Sequence, residues 1–389
     1  MARHRAIPIG GAAPAEYNSG VSTVYVIGAG ASYGESLKLL DSLHTKFPLG
    51  QLRQPPLTNG FFRRSLVDAA GYARCQSDLQ GFIGYVGRAR RLTDAFGEGR
   101  WADLDLEDVF SALEVEREFH SPESDEGARL LLVRNELVRY VRRIVGICTQ
   151  HAYGEYCRKL VSNLDFDDSI LTFNWDLLPD QEFISDHQIY KHYANLFRSV
   201  PLSYADNMVN PVIQGRGLLL KLHGSLNWFR CGNKKCQANR ALVVFVNTQA
   251  CLAWKLGNEN ADCPQCGSDM NPVIIPPLLR KPITEDPIIR SAWGLARNQL
   301  MDASQVVVIR FSAAPTDFYA SWLLRSTVGT RDDVHVEIIN PCNADDHACY
   351  DGFKRRMDSI FLGGYSSSLH AFSQIESVRR DQGVVKELP

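Results

Sequence analysis

The sequence predicts an α/β protein: a doubly wound parallel sheet carrying a helical insertion and a small four-cysteine module. Three observations lead there. Short, nearly continuous apolar runs rich in β-branched residues recur at Thr23 to Ile27, Ser169 to Phe173, Gly217 to Leu222, Ala241 to Val246, Gln305 to Phe311 and Val334 to Ile339. This is the pattern of strands covered on both faces by helices. About 140 residues separate the first two runs, far more than one crossover needs, and their periodicity is helical. Two pairs of cysteines lie together in the second half of the chain.

The 389 residues, 45% of them hydrophobic, can bury one large core or two modest ones, so a single enzyme domain with insertions is expected. Lys and Arg number 42 against 44 Asp and Glu, for a net charge of -2. That balance supplies no overall field for a polyanion, and no direct nucleic-acid binding is expected. The basic clusters Arg88, Arg90, Arg91 and Arg142, Arg143 lie in helix-like stretches and are expected on solvated faces. No stretch has the run of about 18 apolar residues that a membrane span needs, and the opening 20 residues lack the apolar segment of a signal peptide, reading as a flexible arm. A cytoplasmic, reducing location follows, in which the clustered thiols among ten cysteines suit a metal better than disulfides.

The elements follow in chain order. The first strand runs into Gly28-Ala29-Gly30-Ala31-Ser32, with an apolar helix start expected around Leu37 to Leu40. Glycines here let the backbone turn sharply and approach a pyrophosphate at a helix N-terminus, the arrangement of a Rossmann-like dinucleotide site. Gly34 comes one position late for the usual spacing, and an ordinary tight turn is the alternative. Pro55 to Gly60 reads as a turn placed early enough to overhang the carboxyl end of that strand. Leu130, Val133, Leu137, Val141 and Ile144 mark the apolar face of a long helix in the insertion.

The second strand ends in Asn174-Trp175-Asp176 and the third in His223-Gly224-Ser225. Ligands of open parallel sheets sit beyond strand carboxyl ends, so these polar groups should converge on the crevice of the glycine loop. A helix cap for the Asn/Asp pair and a structural role for the histidine are the alternatives.

Cys231 and Cys236 precede Cys263 and Cys266, with Cys251 between as a spare. Four thiolates make a closed tetrahedral zinc site, structural because no position is left for a catalytic water. Lys234, Lys235 and Arg240 are too few basic residues for a nucleic-acid ribbon. The expected boundaries are an arm over 1–20, sheet domain over 21–80, 165–230 and 269–360, helical insertion over 81–164, zinc module over 231–268, and a C-terminal helix or tail over 361–389. Neither internal repeats nor low-complexity tracts are present.

GAGAS after the first strand, TFNWD after the second and KLHGSLNW after the third together resemble the sirtuin family, in order over roughly residues 21–345. The resemblance is closest to the divergent bacterial branch associated with defence against phage, which Asp105 to Phe110 and Pro315-Thr316-Asp317 also resemble. It implies NAD as substrate, bound by Gly28, Ala29, Gly30, Ala31, Ser32, Asn174, Asp176, Ser312 and Asn340. It further implies that Asn174 orders the nicotinamide ribose and a water, Asp176 holds the carboxamide, and His223 acts on the ribose hydroxyls. Arg310 stands where the family has a glycine, and could obstruct or reorient the cofactor.

Two departures bear on the reaction. GAGAS continues into YGESLKLL in place of the family's lid over the acyl-lysine channel, and no peptide-binding segment is recognisable around Pro276 to Pro282. Hydrolysis of NAD to nicotinamide and ADP-ribose is therefore expected ahead of protein deacylation, with a non-catalytic NAD or ADP-ribose sensor as a third reading. The branch also implies an abortive-infection effector, silent until activated, acting as a homo-oligomer and sometimes joined by a HerA-type ring ATPase; the helical insertion is the expected interface.

Overall fold

The computed structural model describes residues 22–35, 55–71, 76–149, 155–165, 167–180, 217–239, 243–244, 263, 265–276, 283, 287–340, 347–368, 379–381 and 384–386. The expected arm, Leu37 to Leu40, Arg240, Cys251 and residues 277–282 lie outside the described residues.

Six strands form one parallel sheet: β1 (Thr23–Ile27), β2 (Ser169–Thr172), β3 (Leu218–Lys221), β7 (Gln305–Ile309), β8 (His335–Ile339) and β9 (Ser366–Ser368), in the order β3-β2-β1-β7-β8-β9. Every neighbouring pair is parallel. Renumbered by position in the chain, this is 3-2-1-4-5-6, the order of the doubly wound dinucleotide-binding sheet. The order reverses between β1 and β7, so the crevice that such sheets use for ligands opens at Ile27 and Ile309. All five residues of β1 and of β7 are buried, which is why neither run alternates.

The chain leaves this sheet at His223. Gly224 begins β4 (Gly224–Cys231), which pairs antiparallel with β5 (Val243–Val244) and β6 (Met270–Ile274) in a separate small sheet. Gly224 has φ +78°, and a Cβ there would lie 2.1 Å from the Val273 carbonyl oxygen, so the corner admits only glycine. Of the apolar run expected at 241–246, the described residues Val243 and Val244 belong to the small antiparallel sheet and not to the parallel one; pairing with β4 decides their place, which apolarity alone could not show.

Between β1 and β2 stand α2 (Arg64–Ala69), α3 (Gln80–Ala89), α4 (Leu106–Glu118), α5 (Asp125–Thr149) and α6 (Glu155–Ser162). The expected face of α5 is buried at all five positions, and Phe62, Phe82, Phe96, Trp101 and Tyr140 pack around it in a core distinct from that of the parallel sheet. Leu177, Leu226 and Ile274 join that core and fasten the helical layer to the small sheet. Asp105 caps α4 by accepting from the Glu107 and Asp108 amides, worth about 1 kcal/mol.

Several expectations are corrected. Helix α1, described over 29–35, begins directly after Gly28, so that Ala29 to Ser32 form its first turn. Arg142 is half-buried, its guanidinium carbon 4.6 Å from the centre of the Phe229 ring. A cation–π contact to β4 holds it, where a solvated face was expected. Beyond α9 (His347–Ile360), in the stretch read as helix or tail, lie the edge strand β9 and a hairpin of β10 (Arg379–Asp381) and β11 (Val384–Lys386). Serines occupy β9, so no apolar run announces it; pairing with β8 makes it a strand. Two further helices, α7 (Pro287–Asp302) and α8 (Phe318–Thr327), flank β7. No helix among the described residues is long and apolar enough to cross a membrane.

Candidate active site

Three expected segments and one unexpected one meet at the switch point. A cavity of about 860 Å³, counted to its open mouth, is lined on the sheet side by Gly28, Ala29, Ser32, Phe173, Asn174, Asp176, His223, Ser312 and Asp317. On the helical side it is lined by Pro55 to Thr58, Phe61, Leu106, Glu107 and Val145. The Pro55 turn therefore overhangs β1 as its composition suggested.

Close backbone approach builds the floor. The Gly28 amide donates to the Ile309 carbonyl at 3.0 Å, and a Cβ on Gly28 would lie 2.4 Å from the Arg310 carbonyl oxygen. Glycine is required because β1 and β7 leave the sheet at the same point. The loop residues then divide. Gly28, Ala29 and Ser32 face the cavity, Ala31 is buried in the sheet core, and Gly30 is covered by the Arg310 side chain.

Asn174 is fixed by both amide hydrogens. Its Nδ2 donates to the Gly28 carbonyl at 3.0 Å and to Ser32 Oγ at 2.9 Å. A carbonyl oxygen facing the Gly28 carbonyl would repel it, so these partners fix the amide orientation. Oδ1 is left directed away from them as an acceptor at the cavity wall. Ser32 Oγ in turn donates to Asp176 Oδ2 at 2.6 Å, and Asp176 Oδ1 accepts from the Leu178 amide at 3.0 Å. Each Asp176 oxygen thus already holds one internal bond.

His223 is 2% exposed. Its ring lies 5.1 Å from that of Phe173 and 6.4 Å from that of Trp293, centre to centre, and Nε2 is 3.4 Å from Asp317 Oδ2. Asp317 also caps α8, its Oδ1 accepting from the Ala320 amide at 3.4 Å. One carboxylate therefore caps the helix and stands beside the imidazole, at a distance where it would pair with the ring once protonated.

The neighbouring Thr316 hydroxyl donates to Glu107, tying α4 to the β7–α8 segment. Beneath the site, Lys221 is fully buried, paired with Asp180 at 2.7 Å and donating to the Asp176 carbonyl. Sequence reasoning assigned no role to Asp317, Glu107 or Lys221. The signal for Lys221 was a charge inside an otherwise apolar strand.

The other expected residues are more scattered. Ser312 lines the cavity, and its carbonyl accepts from Arg356 Nε at 2.9 Å. Asn340 follows β8, two strands from β1, and is not among the lining residues. Arg310 has φ +49°, the backbone region that favours glycine. Its guanidinium lies over Gly34, and burial pulls its pKa below the ordinary arginine value.

No family model matches the sequence, and no curated protein matches it. Among solved structures, the chain is similar to a Sir2 homologue in complex with NAD, at 12% identity, covering 87% of this chain and 90% of that one with a TM-score of 0.35. It is similar also to a mutant Sir2 homologue in complex with ADP-ribose, at 12% identity, 88% and 94% coverage and a TM-score of 0.35. A structure described as the structural basis of sirtuin substrate affinity aligns at 14% identity, 87% and 93% coverage and a TM-score of 0.36.

The four cysteines converge as expected. Cys231, Cys236, Cys263 and Cys266 place their sulfurs within 4.8 Å of one another, with Cys231 to Cys266 at 3.5 Å and Cys236 to Cys263 at 3.9 Å. Zinc–sulfur bonds of about 2.3 Å in a tetrahedron require sulfurs about 3.8 Å apart, so the donor set fits zinc. Burial pushes the Cys231 thiol up to about 12, whereas the Ser268 hydroxyl and amide hold Cys266 down at about 6. The cluster sits where β4 ends and β6 begins and closes the small sheet.

Proposed function

We propose that the chain binds NAD in this cavity and hydrolyses its nicotinamide–ribose bond, giving nicotinamide and ADP-ribose. The observation that carries the reading is the meeting of a fixed Asn174 amide with a buried imidazole that faces the Asp317 carboxylate, in one cavity beside the glycine turn. Nicotinamide leaves as a neutral base, taking the electron pair of the broken bond, while positive charge develops on the ribose. A water oxygen adds to that carbon and one proton is released.

Asn174 Oδ1 orients a ribose hydroxyl or the water without adding charge, and His223 accepts the proton. Asp317 stabilises the resulting imidazolium. Such acid–base help is worth about 100 to 10,000-fold. The carboxylates of Glu107, Asp176 and Asp317 line the same cavity and suit the cationic nicotinamide ring of intact NAD and the positive charge that develops on the ribose. Gly28, Ala29 and Ser32 would contact the cofactor from the sheet side, and Asp176 would take the carboxamide on its remaining lone pairs. Ser312 is the candidate for a contact farther along the cofactor. Asn340 would require a ligand that extends beyond this cavity.

Water as acceptor is favoured over acyl-lysine by the YGESLKLL continuation of the glycine turn. An NAD hydrolase running continuously would exhaust its own cell. The reading therefore extends to an antiphage effector held silent until assembly, or a partner such as a HerA-type ring ATPase, releases it.

The test is nicotinamide release from NAD by the purified chain, with and without an acetylated peptide and with the candidate partner added. Peptide-independent release supports hydrolysis. Strict dependence on peptide would replace it with deacylation, and tight NAD binding without turnover under every condition would make the chain a sensor.

A further inference from the structure

Residues 312–317 separate two cavities. Ser312, Ala314 and Asp317 face the candidate active site, whereas Ala313 and Pro315, with Phe318 just beyond, face a second space of about 1150 Å³, counted to its open mouth. That space lies between α8 and α9.

The buried face of α8 consists of Ala320, Leu323, Leu324 and Thr327. Phe318, Trp322 and Arg325 follow one another at steps of four and three on the other face, so they form one stripe. Phe318 is 56% and Trp322 49% exposed, although large aromatic side chains are normally covered. Arg356 reaches the space from α9, held at its wall by the bond from Nε to the Ser312 carbonyl.

The charges there are uncompensated. Arg64, Arg90, Arg117, Arg129, Arg134 and Arg331 each pair with a carboxylate. Among the described residues Arg325 and Arg356, like Arg88, Arg91 and Arg355, pair with none; what sets these two apart is that they share one space and that no described carboxylate lines it. Two aromatic faces beside two unneutralised guanidinium groups call for a ligand that is planar at one end and anionic at the other.

We propose that this space is a second small-molecule site, for a nucleoside phosphate. The base lies against Trp322 and Phe318, and the phosphate is held by Arg325 and Arg356. This does not rest on the reading of the first cavity. A chain without any turnover should still bind.

The test titrates adenosine monophosphate, with inorganic phosphate as a second ligand, into the intact zinc-loaded chain while following tryptophan emission. Trp322→Phe reports which indole responds, and Arg325→Glu removes one anchor; both positions are exposed, so folding is preserved. The expected result is a saturable change with the nucleotide that is absent in Trp322→Phe and needs at least tenfold more nucleotide in Arg325→Glu. Inorganic phosphate should compete for the site only weakly. A response that survives Trp322→Phe unchanged, equal affinity in Arg325→Glu, or no response to the nucleotide would each overturn the proposal. So would the same emission change on raising protein concentration alone, which would make the stripe a contact between copies of this chain.

Discussion

His223 Nε2 lies 3.4 Å from Asp317 Oδ2, the imidazole standing at the end of β3 and the carboxylate at the start of α8. Asp317→Asn keeps a side chain able to cap α8 and removes only the charge facing the ring. Stability should change by less than about 1 kcal/mol, while nicotinamide release falls by about 100-fold or more. Steady-state kinetics beside a urea melt separates the two effects, and an unaltered kcat would remove Asp317 from the mechanism.

Asn174 makes a sharper pair of variants. Asn174→Ala loses two buried hydrogen bonds and should cost about 2 kcal/mol while abolishing turnover. Asn174→Asp also loses both donors and places a second buried carboxylate beside Ser32 and Asp176, so it should be the less stable of the two despite its closer shape. The order of thermal midpoints is the measurement. The reverse order would mean that the amide is not held by Gly28 and Ser32.

Lys221→Met removes the buried ammonium that pairs with Asp180 and donates to the Asp176 carbonyl. A loss of about 3 to 5 kcal/mol is expected, together with a loosened Asp176 turn. Adding Asp180→Leu should restore most of the stability but not the bond to the Asp176 carbonyl. Recovery of turnover in the double variant would show that this bond does not position the site.

Zinc and the small sheet should stand or fall together. Cys263→Ser is expected to lower bound zinc from one per chain and to lower the midpoint of unfolding, and chelation of the wild type should do the same. Metal-linked folding of small modules is worth on the order of 10 kcal/mol, so the shift should be large. Equal metal content and midpoint in the variant would rule out the cysteine site.

Arg310→Gly tests a departure from the resemblance. Glycine adopts φ +49° without penalty but is more costly to order, so stability should stay within about 1 kcal/mol of the wild type. Uncovering Gly30 and Gly34 should change the KM for NAD more than kcat. An unchanged KM would place the cofactor away from that turn.

Much of this was legible in the residues. Continuous apolar runs announced buried strands, the five-residue stripe announced α5, and polar groups directly after β2 and β3 announced the rim. The rest was not local. Serine-rich β9 has no strand signature, and Val243 and Val244 lie in a run that had the signature but belong to another sheet. Asp317 could not be matched to His223 from sequence, because nothing along the chain indicates which side of the β7–α8 segment faces the crevice.

By itself, the sequence determined the parallel sheet, the glycine turn, the cysteine cluster and the candidates Asn174 and His223, because periodicity and short-range backbone chemistry are written residue by residue. Only the tertiary structure decided that β1 and β7 separate at one point, that Asp317 faces His223, and that Lys221 lies beneath the Asp176 turn. Those relations depend on strand order and on which side chains share a dehydrated space, and contacts across such distances in the chain exist only once the sheet has closed around them.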